Sequence, residues 1–351
     1  MEAVALIVEY NPLHNGHLHH LQAAKQCFPD ATIIAILNGD FLQRGEPALL
    51  SKYERTQLAL LAGVDLVFEL PFAFGTQRAD IFARGAIQIA SALGAGAIVY
   101  GTEGTHEPMT PLALLQPNQK LAYFYEQEAK LLSRPLALHA IPRLKTQYNA
   151  TAITDAHFAS ATALRTKILN KTPFTLTDYV PKYTSDAIKQ NRDHLGDIRA
   201  YYPYLQYALT DHDVKTIALS QSGLGANMTE QLQKRTTFTD FFASVHHKHT
   251  SKTHIQRALT YRLTRTEQAT LDEATTSLWT RLLGASPAGR KYLRHYKLHE
   301  HSELPIIPKL KDLPPAHRTL QYNALIAYAT ITNQSIQHAL IRENTTDIIH
   351  L

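Results

Sequence analysis

In this 351-residue chain, the segment whose residue types and spacing most directly imply chemistry is His14-Asn15-Gly16-His17. Imidazoles three positions apart fall on the same side of a helix. The segment follows an apolar run, Val4 to Val8, through the turn-forming pair Asn11-Pro12, and it opens a helical pattern from about Gly16 to Cys27. Free backbone amides at a helix start favour an anion. Gly16 removes a side chain where a flat base or a phosphate would approach the backbone. The combination suits a nucleoside triphosphate, with the histidines donating to charge that develops on its α-phosphate. Two histidines three apart can also ligate a metal. No nearby cysteine or second histidine cluster completes such a site, so no metal centre is expected.

Two further groups could join this chemistry. Ser160-Ala161-Thr162-Ala163-Leu164-Arg165 opens a later helical pattern, and two hydroxyls with an arginine at a helix start suit β- and γ-phosphates. Alone, it reads equally as an N-cap followed by a surface arginine. Asp40, Gln43 and Arg44 follow the second apolar run. Arg44 can hold a carboxylate or pyrophosphate through paired hydrogen bonds. Asp40 can orient or deprotonate an incoming amine, although Asn38-Gly39-Asp40 is also ordinary turn chemistry.

The elements that must position these residues alternate. Apolar runs at Val4–Val8, Ala31–Leu37, Leu66–Leu70, Ala97–Tyr100 and Leu136–Ile141 read as strands. Helical patterns at Gly16–Cys27, Ser51–Leu61, Ala79–Leu93 and Lys120–Leu132 separate them, with Ser51 and Glu54 forming a capping-box signature. Continuous rather than alternating hydrophobicity predicts a parallel sheet covered on both faces, with ligands beyond the carboxyl ends of its strands. From about Ala187 the pattern becomes helical, at Ile198–Leu209, Gln231–Ala243, Thr253–Leu263, Ala269–Leu283 and Leu320–Ala329. The expectation is an α/β domain over residues 1–183 and a mostly helical domain over 184–351, divided near Pro181.

Charge follows this division. Residues 1–150 carry 11 Lys+Arg against 13 Asp+Glu, and residues 151–351 carry 24 against 17. A basic half joined to a near-neutral half points to a polyanion partner. No apolar stretch is long enough to span a membrane. The N-terminus lacks a basic n-region and a cleavage site, and Cys27 is the single cysteine. A cytoplasmic protein without a disulfide framework or membrane partner is expected.

The pairing of a strand–HxGH–helix with a late S/T-x-x-R helix start resembles the nucleotidyltransferase superfamily. The segments VEYNPLHNGHLHHL (8–21), NGDFLQRGEPA (38–48), AGVDLVFELP (62–71), FARGAIQIASALGAGAIVYGTE (82–103), RLLGASPAGRKYL (281–293) and LPIIPK (304–309) narrow the likeness to the tRNA(Met) cytidine acetate ligase family. The similarity runs in order over most of the chain. It implies a Rossmann-like nucleotidyltransferase sheet and an enzyme that converts ATP and acetate to acetyl-adenylate. The acetyl group would then pass to N4 of the wobble cytidine, C34, of elongator tRNA(Met), with Mg²⁺ accompanying the phosphates.

Carried over by this resemblance, the ATP-binding stretch is Ile7, Val8, Glu9, Tyr10, Asn11, Pro12, Leu13, His14, Asn15, Gly16, His17, Leu18, His19 and His20. Gly101, Asn118 and Arg143 are further expected ATP contacts, beside Ser160, Thr162 and Arg165. The segment between Gly101 and Asn118 is shorter than is usual in the family. Catalytic roles fall to His14, His17 and Asp40, and acetate or phosphate positioning to Gln43 and Arg44. The anticodon region of the tRNA would meet Lys248, Lys252, Arg257, Arg262 and Arg265 in one basic stretch, and Arg290, Lys291, Arg294 and Lys297 in another. Interleaved Tyr261, Tyr292 and Tyr296 would stack on unpaired bases. His246, His247, His249 and His254 stand where the family usually has more Lys and Arg. Two rival readings remain: a nucleotidyltransferase adenylating a small phosphorylated metabolite, and a non-catalytic, ATP-responsive RNA-binding protein.

Overall fold

Strand-forming runs that are almost wholly apolar must bury both faces, and the first four do so here. The computed structural model describes residues 3–102, 112–142, 155–208, 215–220, 223–246, 250–296, 304–345 and 347–351. In the first third, β1 (Ala3–Val8), α1 (Asn15–Cys27), β2 (Thr32–Asn38), α2 (Lys52–Ala62), β3 (Leu66–Leu70), α3 (Phe72–Gly75), α4 (Ala79–Ala92) and β4 (Ala95–Thr102) alternate as expected. They are followed by α5 (Pro117–Lys130), β5 (Ala137–Pro142), α6 (Ala161–Leu169) and α7 (Lys182–Gln190).

The sheet order is β5-β4-β1-β2-β3 with all five strands parallel. Order reverses at β1, which has β2 on one side and β4 on the other. The chain therefore leaves β1 and β4 in opposite directions, and a crevice opens at their carboxyl ends. Successive residues of β1 feed two cores. Val4, Leu6 and Val8 pack with Leu21 and Ala24 of α1, Leu58 and Ala59 of α2 and Ile188 of α7. Ala3 and Ala5 pack on the opposite face with α4 residues such as Phe82 and Ala86. β5 is the edge strand and is largely exposed.

The second half is mostly helical: α8 (Tyr202–Tyr207), α9 (Leu224–Lys234), α10 (Phe238–Val245), α11 (Lys252–Leu263), α12 (Gln268–Ala274), α13 (Pro287–Tyr296), α14 (Pro315–Ile331) and α15 (Ile336–Asn344). It also returns to the sheet. β6 (Leu282–Ala285) pairs antiparallel with β3, and β7 (Ile349–His350) pairs parallel with β6. The expected division at 183/184 falls inside α7, and residues downstream of it complete the sheet.

Three helix expectations are corrected. The helix expected over Ala269–Leu283 stops at Ala274, and Leu282 and Leu283 are strand residues. Thr280 is drawn out of helix by backbone hydrogen bonds with Pro305 and Ile307, and Arg281 by buried carboxylates. The helix expected over Gln231–Ala243 breaks at Thr237, whose hydroxyl caps α10 by accepting from the Asp240 N–H. Ile198–Leu209 is a 3₁₀ turn, Ile198–Tyr201, followed by the short α8.

The C-terminal elements are held by a buried charge cluster. Lys52, at the start of α2, meets Glu69 of β3 at 3.0 Å and Glu343 of α15 at 2.5 Å. Arg281 meets the same two carboxylates at 2.6 and 2.5 Å. All four side chains are at most 5 % exposed, so each charge depends on its partners for the solvation it has lost. Burial alone would raise the Glu69 carboxyl, but Arg281 and Lys52 hold it down at about 2. A carboxyl whose ordinary value is 4.5 then binds protons more readily in the unfolded chain than in the folded one. Its stabilisation is complete above pH 4.5 and is lost as pH falls through about 2. Glu69→Ala should cost about 3–5 kcal/mol in chemical denaturation at neutral pH, because two buried cations lose a partner. The variant's stability should also fall less than the parent's between pH 4.5 and 2; equal acid sensitivity would show that Glu69 is not the titrating group.

Candidate active site

The turn after β1 delivers the histidines to the crevice. His14 is the N-cap of α1 in extended conformation, and its own N–H donates to Nδ1 of His17 at 3.3 Å. An accepting Nδ1 places the proton of a neutral His17 ring on Nε2, so that atom is a donor. The two imidazoles stack at 3.7 Å with 21° between their planes, and the Tyr10 ring meets His17 edge-on at 5.1 Å. Tyr10 has φ +47°, a backbone conformation that a non-glycine residue keeps only where its surroundings impose it. Gly16 makes the stack possible: a Cβ there would lie 2.9 Å from Cε1 of His14.

These residues line a cleft of about 240 Å³ at the carboxyl ends of β1 and β4. Of the expected ATP-binding stretch, Ile7, Val8, Glu9, Tyr10, Asn11, His14, Gly16, His17, His19 and His20 face it. Gly101, Asn118, Thr162, Arg165, Gln43 and Arg44 line it as well. Segments more than 150 residues apart in sequence thus share one cavity. Asn11 links them further, since its carbonyl accepts from Arg165 at 3.0 Å and its Oδ1 from the Leu49 N–H at 2.7 Å. Its buried Nδ2 has no partner among the described residues.

Charge in the cleft is balanced. Glu9 and Glu46 face Arg44 and Arg165. Burial pushes the Glu9 carboxyl up, against the Gln43 N–H that it accepts at 3.0 Å and the nearby Arg44 and Arg165. Burial acts the same way on Glu46, but Arg165 at 2.8 Å and the Gln256 amide at 2.8 Å prevail and hold its carboxyl below the ordinary range. Guanidinium groups that line a cleft wall suit bidentate contact with phosphate or carboxylate oxygens.

Other expected residues lie elsewhere. Asp40 does not line this cleft. Its carboxylate accepts from the Lys52 N–H at 2.6 Å and lies 4.0 Å from Arg55, so it holds the start of α2. It faces a separate cavity of about 310 Å³ beside α14 and α15, so the structure places it apart from the histidines with which the sequence grouped it. Ser160 is the N-cap of α6, accepting from the Ala163 N–H at 3.0 Å, and only its neighbours reach the cleft. Pro12, Leu13, Asn15 and Leu18 are outside the lining. Leu13 is buried, and the Asn15 amide donates to the carbonyls of His157 and Asp178. Gln43 spends its side-chain amide on the Gln77 carbonyl. Arg143, Lys248 and Lys297 lie outside the described residues.

The basic surface differs from expectation in its aromatic part. Tyr261 and Tyr292 are buried, their hydroxyls donating to the carbonyls of Thr76 and Leu93, so neither can stack on RNA. Tyr296 is half-buried and stacked on Tyr292. Arg262 is buried against Thr229. Arg290 donates to the Ala285 carbonyl and meets the His350 ring, tying α13 to the sheet edge. Lys252, Arg265, Lys291 and Arg294 are exposed, and Arg257 is half-buried.

Sequence reasoning missed the aromatic wall of the cleft. Tyr100 and Tyr125 meet edge-on at 6.0 Å and both line it. Two signals pointed there. Tyr100 sits at the carboxyl end of a parallel strand, and Asn118, Leu121 and Tyr125 are spaced three and four apart on one face of α5.

The comparisons with known proteins meet this geometry. The family model for HIGH nucleotidyl transferases matches residues 1–115 and 105–344. The tRNA(Met) cytidine acetate ligase of Lactiplantibacillus plantarum is 35% identical over 372 positions, covering 95% of this chain and 96% of the relative. That of Geobacillus sp. (strain WCH70) is 32% identical and covers 98% of both. The chain belongs to the tRNA(Met) cytidine acetate ligase family. It is similar in fold to Thermotoga maritima TmcAL over the whole of both chains, with a TM-score of 0.86 to the apo form and 0.84 to the form bound with alpha-thio ATP, at 22% identity. The chain thus shares about a third of its residues with these ligases over nearly its whole length, and its overall fold with the Thermotoga protein.

Gly16→Ala isolates the role of the histidine stack. Alanine favours helix over glycine by about 1 kcal/mol, so α1 itself should be no less stable. The added methyl collides with His14 and should weaken ATP binding by about tenfold or more, read by calorimetry beside an unchanged melting curve. Unaltered ATP affinity would show that the stacked geometry is not what binds nucleotide.

Proposed function

We propose that this ligase activates acetate with ATP and transfers the acetyl group to N4 of the wobble cytidine of elongator tRNA(Met). The observation that carries the reading is the single cleft uniting His14, Gly16, His17, Gly101, Asn118, Thr162 and Arg165 at the carboxyl ends of β1 and β4. The α-phosphate would lie at the start of α1, where the Nε2–H of His17 meets charge developing on phosphorus. Arg165 and Arg44 would hold the β- and γ-phosphates and the departing pyrophosphate. Tyr100 and Tyr125 give an apolar wall for the adenine.

An acetate oxygen attacks the α-phosphorus and the bond to pyrophosphate breaks, leaving acetyl-adenylate. Adenylate is a far better leaving group than oxide. The cytidine amine then attacks the acetyl carbon, AMP departs and the amine loses a proton. Mg²⁺ would arrive on the triphosphate and neutralise its oxygens; among the described residues no three His, Cys, Asp or Glu side chains gather to hold a metal. In this reading residues 1–183 supply the activating cleft, and residues 184–351 supply the RNA surface through Lys252, Arg257, Lys291 and Arg294, with Arg290 placing α13. No helix among the described residues is long and apolar enough to cross a membrane.

The test is acetyl transfer from labelled acetate to total tRNA with ATP and Mg²⁺, followed by nucleoside digestion and mass analysis. Label in N4-acetylcytidine is expected. Acetate-dependent pyrophosphate release without labelled nucleoside would remove the RNA assignment and keep the adenylating site. His14→Ala should lower acetate-dependent pyrophosphate exchange by about 100-fold or more, while RNA affinity measured by filter binding stays at the parent value. Loss of both together in a folded variant would break the assignment of separate surfaces.

A further inference from the structure

Glu46 stands between the two surfaces that the proposed function assigns, and no step above uses it. One carboxylate oxygen meets Nη2 of Arg165, a cleft residue, at 2.8 Å. The other accepts from Nε2 of Gln256 in α11 at 2.8 Å. Lys252, four residues before Gln256 and therefore on the same side of α11, is exposed. It is one of the charges that hold the Glu46 carboxyl low, with Arg165 ahead of it and Arg44 behind it. The carboxylate is thus paired with Arg165 and lies within the electrostatic reach of Arg44 in the cleft and of Lys252 on the basic helix.

The backbone around it is fixed. Gly45 has φ +80°, and a Cβ there would lie 2.3 Å from the Arg257 backbone nitrogen, so the loop lies directly on α11. Thr260 donates to the Gly45 carbonyl at 2.7 Å, and the Gly45 N–H donates to Leu42. What can change is the set of side chains that Glu46 holds. The Glu46 and Arg165 side chains are 20 and 17 % exposed, wet enough for a phosphate to replace a carboxylate without stranding a dry charge.

We propose that Glu46 is a positioning residue through which a polyphosphate in the cleft and an RNA phosphodiester on α11 compete, so that RNA docks tightly only after pyrophosphate has left. The inference rests on the proposed function. Triphosphate oxygens draw Arg165 and Arg44 toward themselves. Glu46 stays tied to Gln256 but loses its ion pair with Arg165, and its charge then draws Lys252 toward it. A lysine held in this way is withdrawn from an RNA phosphate. Departure of pyrophosphate returns Arg165 to Glu46 and frees Lys252. Activation of acetate therefore precedes tight RNA docking.

The experiment measures fluorescence anisotropy of a labelled anticodon stem-loop with the full chain in excess AMP or in excess of a non-hydrolysable ATP analogue. The parent should bind RNA about fivefold more weakly with the triphosphate, a coupling at the lower end of the usual allosteric range. Glu46→Gln retains a side chain that can bond Gln256 and should equalise the two affinities. Lys252→Gln, at an exposed position that does not test the fold, should bind RNA at one reduced affinity with either nucleotide. Simple repulsion between triphosphate and RNA would survive in both variants, and that result overturns the proposal. Equal affinities in the parent overturn it as well. Absence of RNA binding with either nucleotide overturns the RNA reading and the proposal with it, and is told apart by the missing binding curve.

Discussion

The guanidinium of Arg55 fixes the place where the functional loops begin. It is fully buried in α2, and its donors end on backbone carbonyls: Leu50 at 3.0 Å, Glu9 at 2.9 Å, Asn38 at 3.1 Å and Gly39 at 2.5 Å. Strand carboxyl ends leave carbonyls with no neighbour in the ladder, and burying them unpaired is costly. One planar group with several donors in fixed directions satisfies those of β1 and β2 together. The exit of β1 toward His14 and the exit of β2 toward Gln43 and Arg44 are thereby held at a set separation. The cleft depends on that spacing.

The same helix carries Lys52 three residues earlier, and so the loop anchor and the buried charge cluster are one rigid piece. Lys52 and Arg281 between Glu69 and Glu343 bring β3, β6 and α15 together at the opposite side of the β2–α2 loop. Gln321 of α14 adds its amide to Glu69 at 3.2 Å and accepts from the Phe72 N–H at 3.1 Å. A stretch of chain more than 200 residues downstream is therefore part of the support for a loop in the first 50 residues. This accounts for a second half that closes the sheet as well as offering a basic surface.

The parallel core was legible because its signal is local: five mostly apolar runs, each ended by a turn or cap. β6 and β7 were not, since four and two residues carry no periodicity. Their strand state comes from pairing with β3, set by contacts that no window of sequence contains. The placement of the histidine pair, Gly16 and Arg165 in one cleft was legible because residue type and helix-start position both constrain them. Asp40 and Ser160 had the right types, but each serves a backbone N–H at a helix start, a use that sequence does not distinguish from catalysis. Tyr261 and Tyr292 were misread for a related reason. A tyrosine among cations has the same spacing whether its ring faces base or core, and here buried carbonyls took both hydroxyls.

Charges in this molecule divide by how replaceable their partners are. In the cluster of Lys52, Glu69, Arg281 and Glu343 every partner is dry, and removing one strands another, so those pairs act as fixed joints. In the cleft, Glu46 and Arg165 keep contact with water, and an incoming oxyanion can substitute for a carboxylate at small cost. A site that must bind a triphosphate and then release pyrophosphate needs arginines of the second kind mounted on a frame of the first. Arg55 and the buried cluster supply the frame, holding the loop that carries Arg44 and Glu46 while their side chains remain free to change partners. Rigidity of the backbone and exchangeability of the charges are thus located in different residues, the first in Arg55 and the buried cluster and the second in Glu46 and Arg165 of the cleft.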